Sequence, residues 1–175
     1  MRWRRSMLQP PACDTIVAMA KTLQKMPHSP LHSTNCFNTF IRIAEDCPAR
    51  SGEEPQPRGG QPTVAVLQYR MISGAPYQYT SDDVVFATSA AGRALDAKAA
   101  NNKAAKKERS LAREAFFSRG QACMRASPLG KRFGWGVHAD AEGRIALYAV
   151  DSKRYQALAG DPEIAQVRAM RSKRA

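Results

Sequence analysis

The chain has 175 residues, 43% of them hydrophobic, which is enough for one packed domain and short for two. No apolar run approaches the roughly 20 residues that cross a bilayer, and four cysteines without a CxxC pair are too few for a disulfide scaffold. These features argue against an integral membrane protein and predict a soluble, cytoplasmic protein with reduced cysteines.

The excess of basic residues lies at the two chain ends and in one internal stretch. The formal net charge is +12, and residues 1–31, 103–119 and 166–175 each contribute +4, whereas the rest of the chain is neutral. Because two of these stretches are chain ends, the charge does not imply a basic face built into the fold. It predicts nonspecific attraction to nucleic acid or another polyanion and leaves the oligomeric state open.

The first 31 residues are expected to form a basic, disordered leader. Pro10 and Pro11 interrupt any early helix, and the segment from Ile16 to Leu23 allows only two helical turns. The longest apolar run is too short for a secretory signal. An organelle presequence is the alternative, because the stretch contains arginines and almost no acidic residue.

The domain is expected to begin with a strand and a helix. Alternating apolar residues predict a half-buried strand within 36–47, and a loop rich in Pro and Gly follows it, long enough to be functional. Residues 63–74 fit both helical and strand periodicity. Pro62 at the start and Gly74 at the end favour a helix.

Two further helices are expected before the C-terminal part. The sequence Thr80–Asp83 resembles a capping box, which predicts a helix that Gly92 ends. The stretch 93–107 is rich in Ala, Lys and Asn and is interpreted as a low-complexity insert. An apolar stripe over residues 111–117 predicts the next helix, with Gly120 as its stop.

Residues 133–150 have the clearest pattern in the chain. Two alternating apolar strands flank the turn Asp140–Gly143, which predicts an antiparallel hairpin. Asp151–Ser152 caps a short helix, and 164–171 is expected to be an edge strand, although its apolar residues also fit a helix. The predicted fold class is therefore α+β, a small antiparallel sheet centred on this hairpin with helices packed on one face. The strand at 38–45 and the final segment are expected to flank the hairpin.

Gly134 and Gly136 lie on the same strand face as His138. Two glycines weaken a strand unless something needs the space, which is either a closely packed helix or aromatic ring, or a ligand. The ligand interpretation predicts a pocket formed by Trp135, His138 and Tyr148. It would make the protein a small enzyme or small-molecule binder with His138 as the polar group.

A second candidate site lies in the loop that leads into the hairpin. Arg125, Ser127, Lys131 and Arg132 provide three cations and a hydroxyl beside Trp135, a combination that can hold an anionic group. This predicts a binding module for a phosphate-bearing or nucleic-acid partner. The alternative is that these cations pair with acidic residues elsewhere in the domain: Glu45, Asp46, Asp82 and Asp83.

No combination of residues identifies a reaction, so the sequence leaves enzymatic activity open. His138 and Asp140 can share a strand face as an acid/base pair, and Arg125 near Cys123 can lower the pKa of a thiol. Gly130 and the following lysine lack the remainder of a phosphate-loop motif. No metal-ligand spacing and no GxSxG context is present, and the sequence predicts no metal and no cofactor.

Several stretches resemble an uncharacterised, mainly bacterial protein family, a domain of unknown function. The most specific is SPLGKRFGWGVHADAEGRIALY, which begins at Ser127, and shorter matches include FIRIAEDCP from Phe40 and PYQYTSDDVV from Pro76. The resemblance implies a single domain over 32–174 and transfers no activity. It does not extend to residues 1–31, and the insert at 93–107 differs from the family's pattern.

Overall fold

A four-stranded mixed sheet forms the centre of the computed structural model, which describes residues 31–96 and 103–172. The order is β3-β2-β1-β4, and the strands are β1 (Thr39–Arg42), β2 (Trp135–Ala139), β3 (Ile145–Ala149) and β4 (Ala165–Arg168). The α+β class, the β2–β3 hairpin and the edge strand are confirmed.

The expectation of a wholly antiparallel sheet was wrong. β1 pairs with β2 in antiparallel and with β4 in parallel orientation. The chain leaves β3, passes through a helix and returns as β4, so β3 and β4 run in the same direction at opposite edges. β3 already runs in the same direction as β1. A crossover that returns the chain to the starting end of the sheet therefore makes β4 parallel to its neighbour β1, which a tight turn would not do.

The structure describes six helices; those at 64–74, 81–88, 103–117 and 153–159 lie where the sequence predicted a helix, whereas the one at 128–132 lies in the stretch expected to be a loop. The helices are α1 (Val64–Gly74), α2 (Ser81–Thr88), α3 (Ala90–Asp96), α4 (Lys103–Phe117), α5 (Pro128–Arg132) and α6 (Lys153–Ala159), with a 3-10 turn at Met124–Ala126. Thr63 caps α1 by accepting a hydrogen bond from the Val66 amide, and Thr80 and Asp83 form the predicted capping box of α2. None of the described helices has the length and apolar character needed to span a lipid bilayer.

The predicted helix stop at Gly92 was wrong. α2 ends at Thr88, and Ser89 starts the next helix, because its hydroxyl donates to the Phe86 carbonyl at 2.7 Å and accepts from the Gly92 amide at 3.1 Å. A Cβ atom on Gly92 would lie 2.2 Å from that same carbonyl oxygen. Gly92 therefore permits the close approach of α3 to α2 and does not terminate a helix.

One face of the sheet carries the larger core. Ile41 and Val137 are register partners on this face, and they pack with buried residues from the helices, including Ile72 of α1, Val84 of α2 and Leu129 of α5. All five side chains are at least 96% buried.

The opposite face is covered by α6, so helices lie on both faces and not on one as expected. Phe40, Tyr155 and Leu158 form a second buried cluster there. The rings of Phe40 and Tyr155 meet edge to face with centroids 4.9 Å apart. The short crossover between β3 and β4 places α6 against this face, which the periodicity of a seven-residue helix does not reveal.

Two sequence predictions fall partly outside the described residues. The leader 1–31 has only its last residue, Leu31, within them. Of the insert 93–107, residues 97–102 lie outside the described part, and its two ends lie in α3 and α4.

Candidate anion-binding site

Lys131 and Arg132 lie in the last turn of α5 and line a cleft of about 380 Å³ between α5, the start of α1 and the loop before it. We call this the α1–α5 cleft. Arg58 contributes a third cation from that loop, and Val64 and Phe133 provide apolar wall. The lining contains no acidic residue.

The three cations of the α1–α5 cleft have no side-chain partner among the described residues. The side chains of Arg58, Lys131 and Arg132 make no hydrogen bond or ion pair with any residue in the part of the chain that the structure describes. Positive side chains in the last turn also complement the carbonyl groups at the C-terminus of α5, which explains part of their placement without a ligand.

The carboxylates expected as partners are used elsewhere. Asp83 pairs with Arg113 at 2.8 Å, and Glu45 pairs with Arg171. The remaining two accept hydrogen bonds from backbone or hydroxyl groups: Asp46 from the Ser172 amide, and Asp82 from Ser33 and Thr34. The hydrogen bond from Arg171 lowers the pKa of Glu45 below its ordinary value.

The N-terminus of α1 opens into the same cleft. Thr63 Oγ1 accepts from the Val66 amide at 3.4 Å, and the first helical backbone bond runs from the Leu67 amide to the Thr63 carbonyl. The amides of Val64 and Ala65 precede this bond and have no partner within the helix. They add partial positive charge to the cleft.

The Ser127 hydroxyl does not face the α1–α5 cleft. The residue is 96% buried, and its Oγ donates to Gln68 Oε1 at 2.7 Å and accepts from the Leu129 amide at 3.2 Å. The hydroxyl therefore caps α5 and satisfies a buried glutamine of α1, and it is not free to bind a ligand.

Arg125 is directed to the end of the sheet. Its Nε donates to the Arg168 carbonyl at 2.9 Å, and its own carbonyl accepts from the Met170 amide at 2.8 Å. Of the four residues predicted to bind an anion, the α1–α5 cleft thus brings together Lys131 and Arg132.

The space over the two hairpin glycines is filled by protein. A Cβ atom on Gly136 would lie 2.6 Å from the Tyr155 ring and 2.7 Å from the Phe40 ring. Gly134 has φ +71°, and a Cβ atom there would lie 2.1 Å from the Ser51 carbonyl oxygen. These contacts leave no room for a ligand directly over either glycine, so the close-packing interpretation accounts for both.

Trp135, His138 and Tyr148 do not line one pocket. Because side chains alternate along β2, Trp135 lies on one face of the sheet and His138 on the other, with Tyr148. The Trp135 ring packs at 5.3 Å from the Tyr69 ring of α1, and its Nε1 donates to the Glu53 carbonyl at 2.8 Å.

His138 belongs to a hydrogen-bonded group of three aromatic side chains. The Tyr77 hydroxyl lies 2.8 Å from His138 Nδ1 and 2.9 Å from the Tyr148 hydroxyl. His138 Nε2 is buried and has no hydrogen-bond partner among the described residues. Burial, assisted by the nearby Arg154 charge, lowers the pKa of His138 below its ordinary value, which favours the neutral imidazole.

Asp140 is not the partner of His138 in an acid/base pair. Its Oδ1 accepts from the Glu142 amide at 3.0 Å and from the Arg144 amide at 2.7 Å, which holds the hairpin turn closed.

The Cys123 side chain, the candidate reactive thiol, is half-buried and forms no disulfide with another described cysteine.

Two contributors were missed by sequence reasoning. Arg58 lies in the loop rich in Pro and Gly, and the length of that loop was the only signal that it contributes to a site. Tyr77 lies 61 positions before His138 in the chain, and nothing local indicates that the two side chains meet.

The chain matches, over residues 31–175, a family of unknown function (DUF6157). It belongs to this family. The resemblance to an uncharacterised family is thereby confirmed, and DUF6157 membership assigns no activity. No curated protein and no solved structure matches the chain.

Proposed function

We propose that this DUF6157 protein binds a phosphate-bearing partner in the α1–α5 cleft. The observation that carries the proposal is the placement around one cleft, whose lining has no carboxylate, of three cations without a partner among the described residues: Arg58, Lys131 and Arg132. Guanidinium and ammonium groups are the usual protein ligands of phosphate, and helix N-terminal amides add to their attraction.

The cleft favours a small ligand with an apolar part. Its volume of about 380 Å³ lies within the range of small-molecule sites. Val64 is 42% exposed at its wall, and Phe133 lies beside the two C-terminal cations of α5. A phosphate ester whose apolar or aromatic body rests on these side chains uses both parts of the surface. Single-stranded nucleic acid satisfies the same chemistry and is a second ligand to test.

The test compares two double variants with the same change in charge. Lys131→Gln with Arg132→Gln removes two cleft cations, whereas Arg70→Gln with Arg144→Gln removes two exposed cations outside the cleft. Pyrophosphate and a fluorescent oligothymidine are titrated by calorimetry and anisotropy at several salt concentrations. We expect the cleft variant to lose at least tenfold in affinity and the control less than twofold, because charge-assisted contacts contribute about 1.5–3 kcal/mol each.

Equal losses in both variants would show that only the overall charge attracts polyanions. A chain lacking residues 1–31 and 172–175 separates the cleft from the basic ends, and complete loss of binding on this truncation would overturn the proposal. If the truncated chain binds and its affinity still falls with salt, the part of the slope that Lys131→Gln with Arg132→Gln removes counts the phosphate contacts of the α1–α5 cleft.

A further inference from the structure

The sheet face that carries α6 has a second cationic cleft, of about 500 Å³. We call it the β1–α6 cleft. Arg42 of β1, Arg50 of the following loop and Arg168 of β4 line it, together with Tyr155 of α6. We infer that this cleft is a binding site for a phosphate group, independent of the α1–α5 cleft.

The sheet register brings two of these cations together. Arg42 and Arg168 are partners in the parallel β1–β4 pair, so their side chains leave the same face of the sheet at adjacent positions. Like charges at directly paired positions repel each other. An anion placed between the two guanidinium groups converts this repulsion into attraction.

Two buried donors of the same cleft have no acceptor in the described part of the chain. Arg42 Nε is buried and has no hydrogen-bond partner among the described residues. Tyr155 is 95% buried, and its hydroxyl oxygen accepts from the Ile43 amide at 3.1 Å, which leaves the hydroxyl proton to be donated. A buried donor without a partner is destabilising, so both groups would gain by turning towards an oxyanion bound in the cleft.

Two carboxylates, Glu45 and Asp151, also line the cleft, and they leave Arg42 and Arg50 without an ion pair among the described residues. Glu45 pairs with Arg171 and forms a longer ion pair with Arg168, whose Nε lies 3.8 Å from Glu45 Oε1. Asp151 accepts from the Gly52 amide at 3.1 Å. Neither forms an ion pair with Arg42 or Arg50 within the described part of the chain.

Three guanidinium groups and a phenol favour a phosphate over a monocarboxylate. A phosphate offers three or four acceptor oxygens and up to two negative charges, and the planar guanidinium fork pairs with two of those oxygens at once. A carboxylate has two oxygens and one charge and can satisfy only part of this donor set.

The experiment observes the Arg42 donor directly in the full-length chain. The Nε–Hε signals of arginine side chains are followed by ¹H–¹⁵N NMR during titration with inorganic phosphate, with sodium chloride at equal ionic strength as the comparison. We expect a saturable shift of the Arg42 signal with phosphate and none with chloride. Arg50→Gln and Arg168→Gln are each expected to weaken binding at least fivefold, whereas Arg144→Gln leaves it unchanged.

Each other outcome overturns the inference. A shift that does not saturate, or that chloride reproduces, indicates screening and no site. Unchanged affinity in Arg50→Gln and Arg168→Gln shows that the cleft is not responsible, and equally tight binding of acetate excludes the preference for phosphate. The variant with Lys131→Gln and Arg132→Gln is expected to retain the Arg42 shift, so this test and that of the α1–α5 cleft can fail separately.

Discussion

At the residue scale, Gly136 shows how a missing side chain shapes the sheet. It is paired with Tyr148 across the hairpin, and the rings of Phe40 and Tyr155 occupy the space that its own side chain would fill. Both rings are at least 95% buried, so neither can move aside without disturbing the cluster beneath α6. A position that looks permissive in the sequence is therefore among the most constrained in the fold.

Gly136→Ala is expected to destabilise the protein by about 1–3 kcal/mol, because the added methyl group overpacks this cluster. Gly74→Ala is the matched control, since no atom lies within 4 Å of a Cβ atom there and the residue ends a helix. The control is expected to be neutral or to stabilise by up to about 1 kcal/mol. Urea titrations give the free energy of unfolding of the wild type and of each variant. An equal change in this free energy for the two variants would contradict the packing argument.

At the element scale, the start of α2 is stabilised by reciprocal hydrogen bonds. Thr80 Oγ1 accepts from the Asp83 amide at 3.3 Å, and Asp83 Oδ2 accepts from the Thr80 amide at 3.0 Å. Arg113 of α4 donates to the other carboxylate oxygen at 2.8 Å. Asp83 therefore fixes the first turn of its own helix and also ties it to α4.

The pKa of Asp83 reflects this position. Burial opposes ionisation, but the hydrogen bonds from Thr80 and the charge of Arg113 outweigh it and lower the pKa below its ordinary value. Because the folded-state pKa is lower than the unfolded one, ionised Asp83 stabilises the fold at neutral pH. This contribution is lost as the pH falls below about 4, the unfolded value, towards the folded one.

Asp83→Asn is expected to lower the free energy of unfolding at pH 7 by about 1 kcal/mol, as loss of a helix cap does. The difference from the wild type is expected to narrow as the pH falls below about 4. Denaturant titrations at several pH values measure this, with the exposed Glu142→Gln as a control that changes little at any of them. A difference that is independent of pH would show that the ionised carboxylate is not the stabilising species.

At the scale of the whole molecule, β1 connects the two cores. It is a central strand with neighbours on both sides, and it directs Phe40 towards α6 and Ile41 towards the larger core. Trp135, which packs on Tyr69 of α1, lies on the face opposite Phe40. A substitution that destabilises the packing on one face is therefore expected to destabilise the other face as well.

Phe40→Ala is expected to lower the free energy of unfolding by about 3–5 kcal/mol, because it leaves a cavity at a fully buried site. The two cores on either side of the sheet are expected to unfold together. In a Trp3→Phe background, Trp135 fluorescence reports the larger core and far-UV circular dichroism reports the whole fold. Their unfolding midpoints should shift equally, whereas Leu111→Ala, at a side chain that is 55% exposed, should shift neither by much. Two separate transitions would show that the layers unfold independently.

Local patterns were sufficient for most elements. The capping box of α2, the alternation in the hairpin and the serine cap of α6 each depend on residues within a few positions of one another. Hydrogen bonds and burial over such distances are dictated by residue type and spacing, so the sequence alone determines them. The cations Lys131 and Arg132 were found by the same local reasoning.

Contacts between distant segments were decided only by the tertiary structure. Arg42 and Arg168 are 126 positions apart, and their pairing depends on the parallel addition of β4 after the α6 crossover. Three other contacts also join segments that are far apart in the chain. Arg58 lines the α1–α5 cleft, Tyr77 contacts His138, and the rings of Phe40 and Tyr155 pack against Gly136. Such contacts follow from the combined packing of the sheet and both helical layers, because no single segment contains the partners that define them.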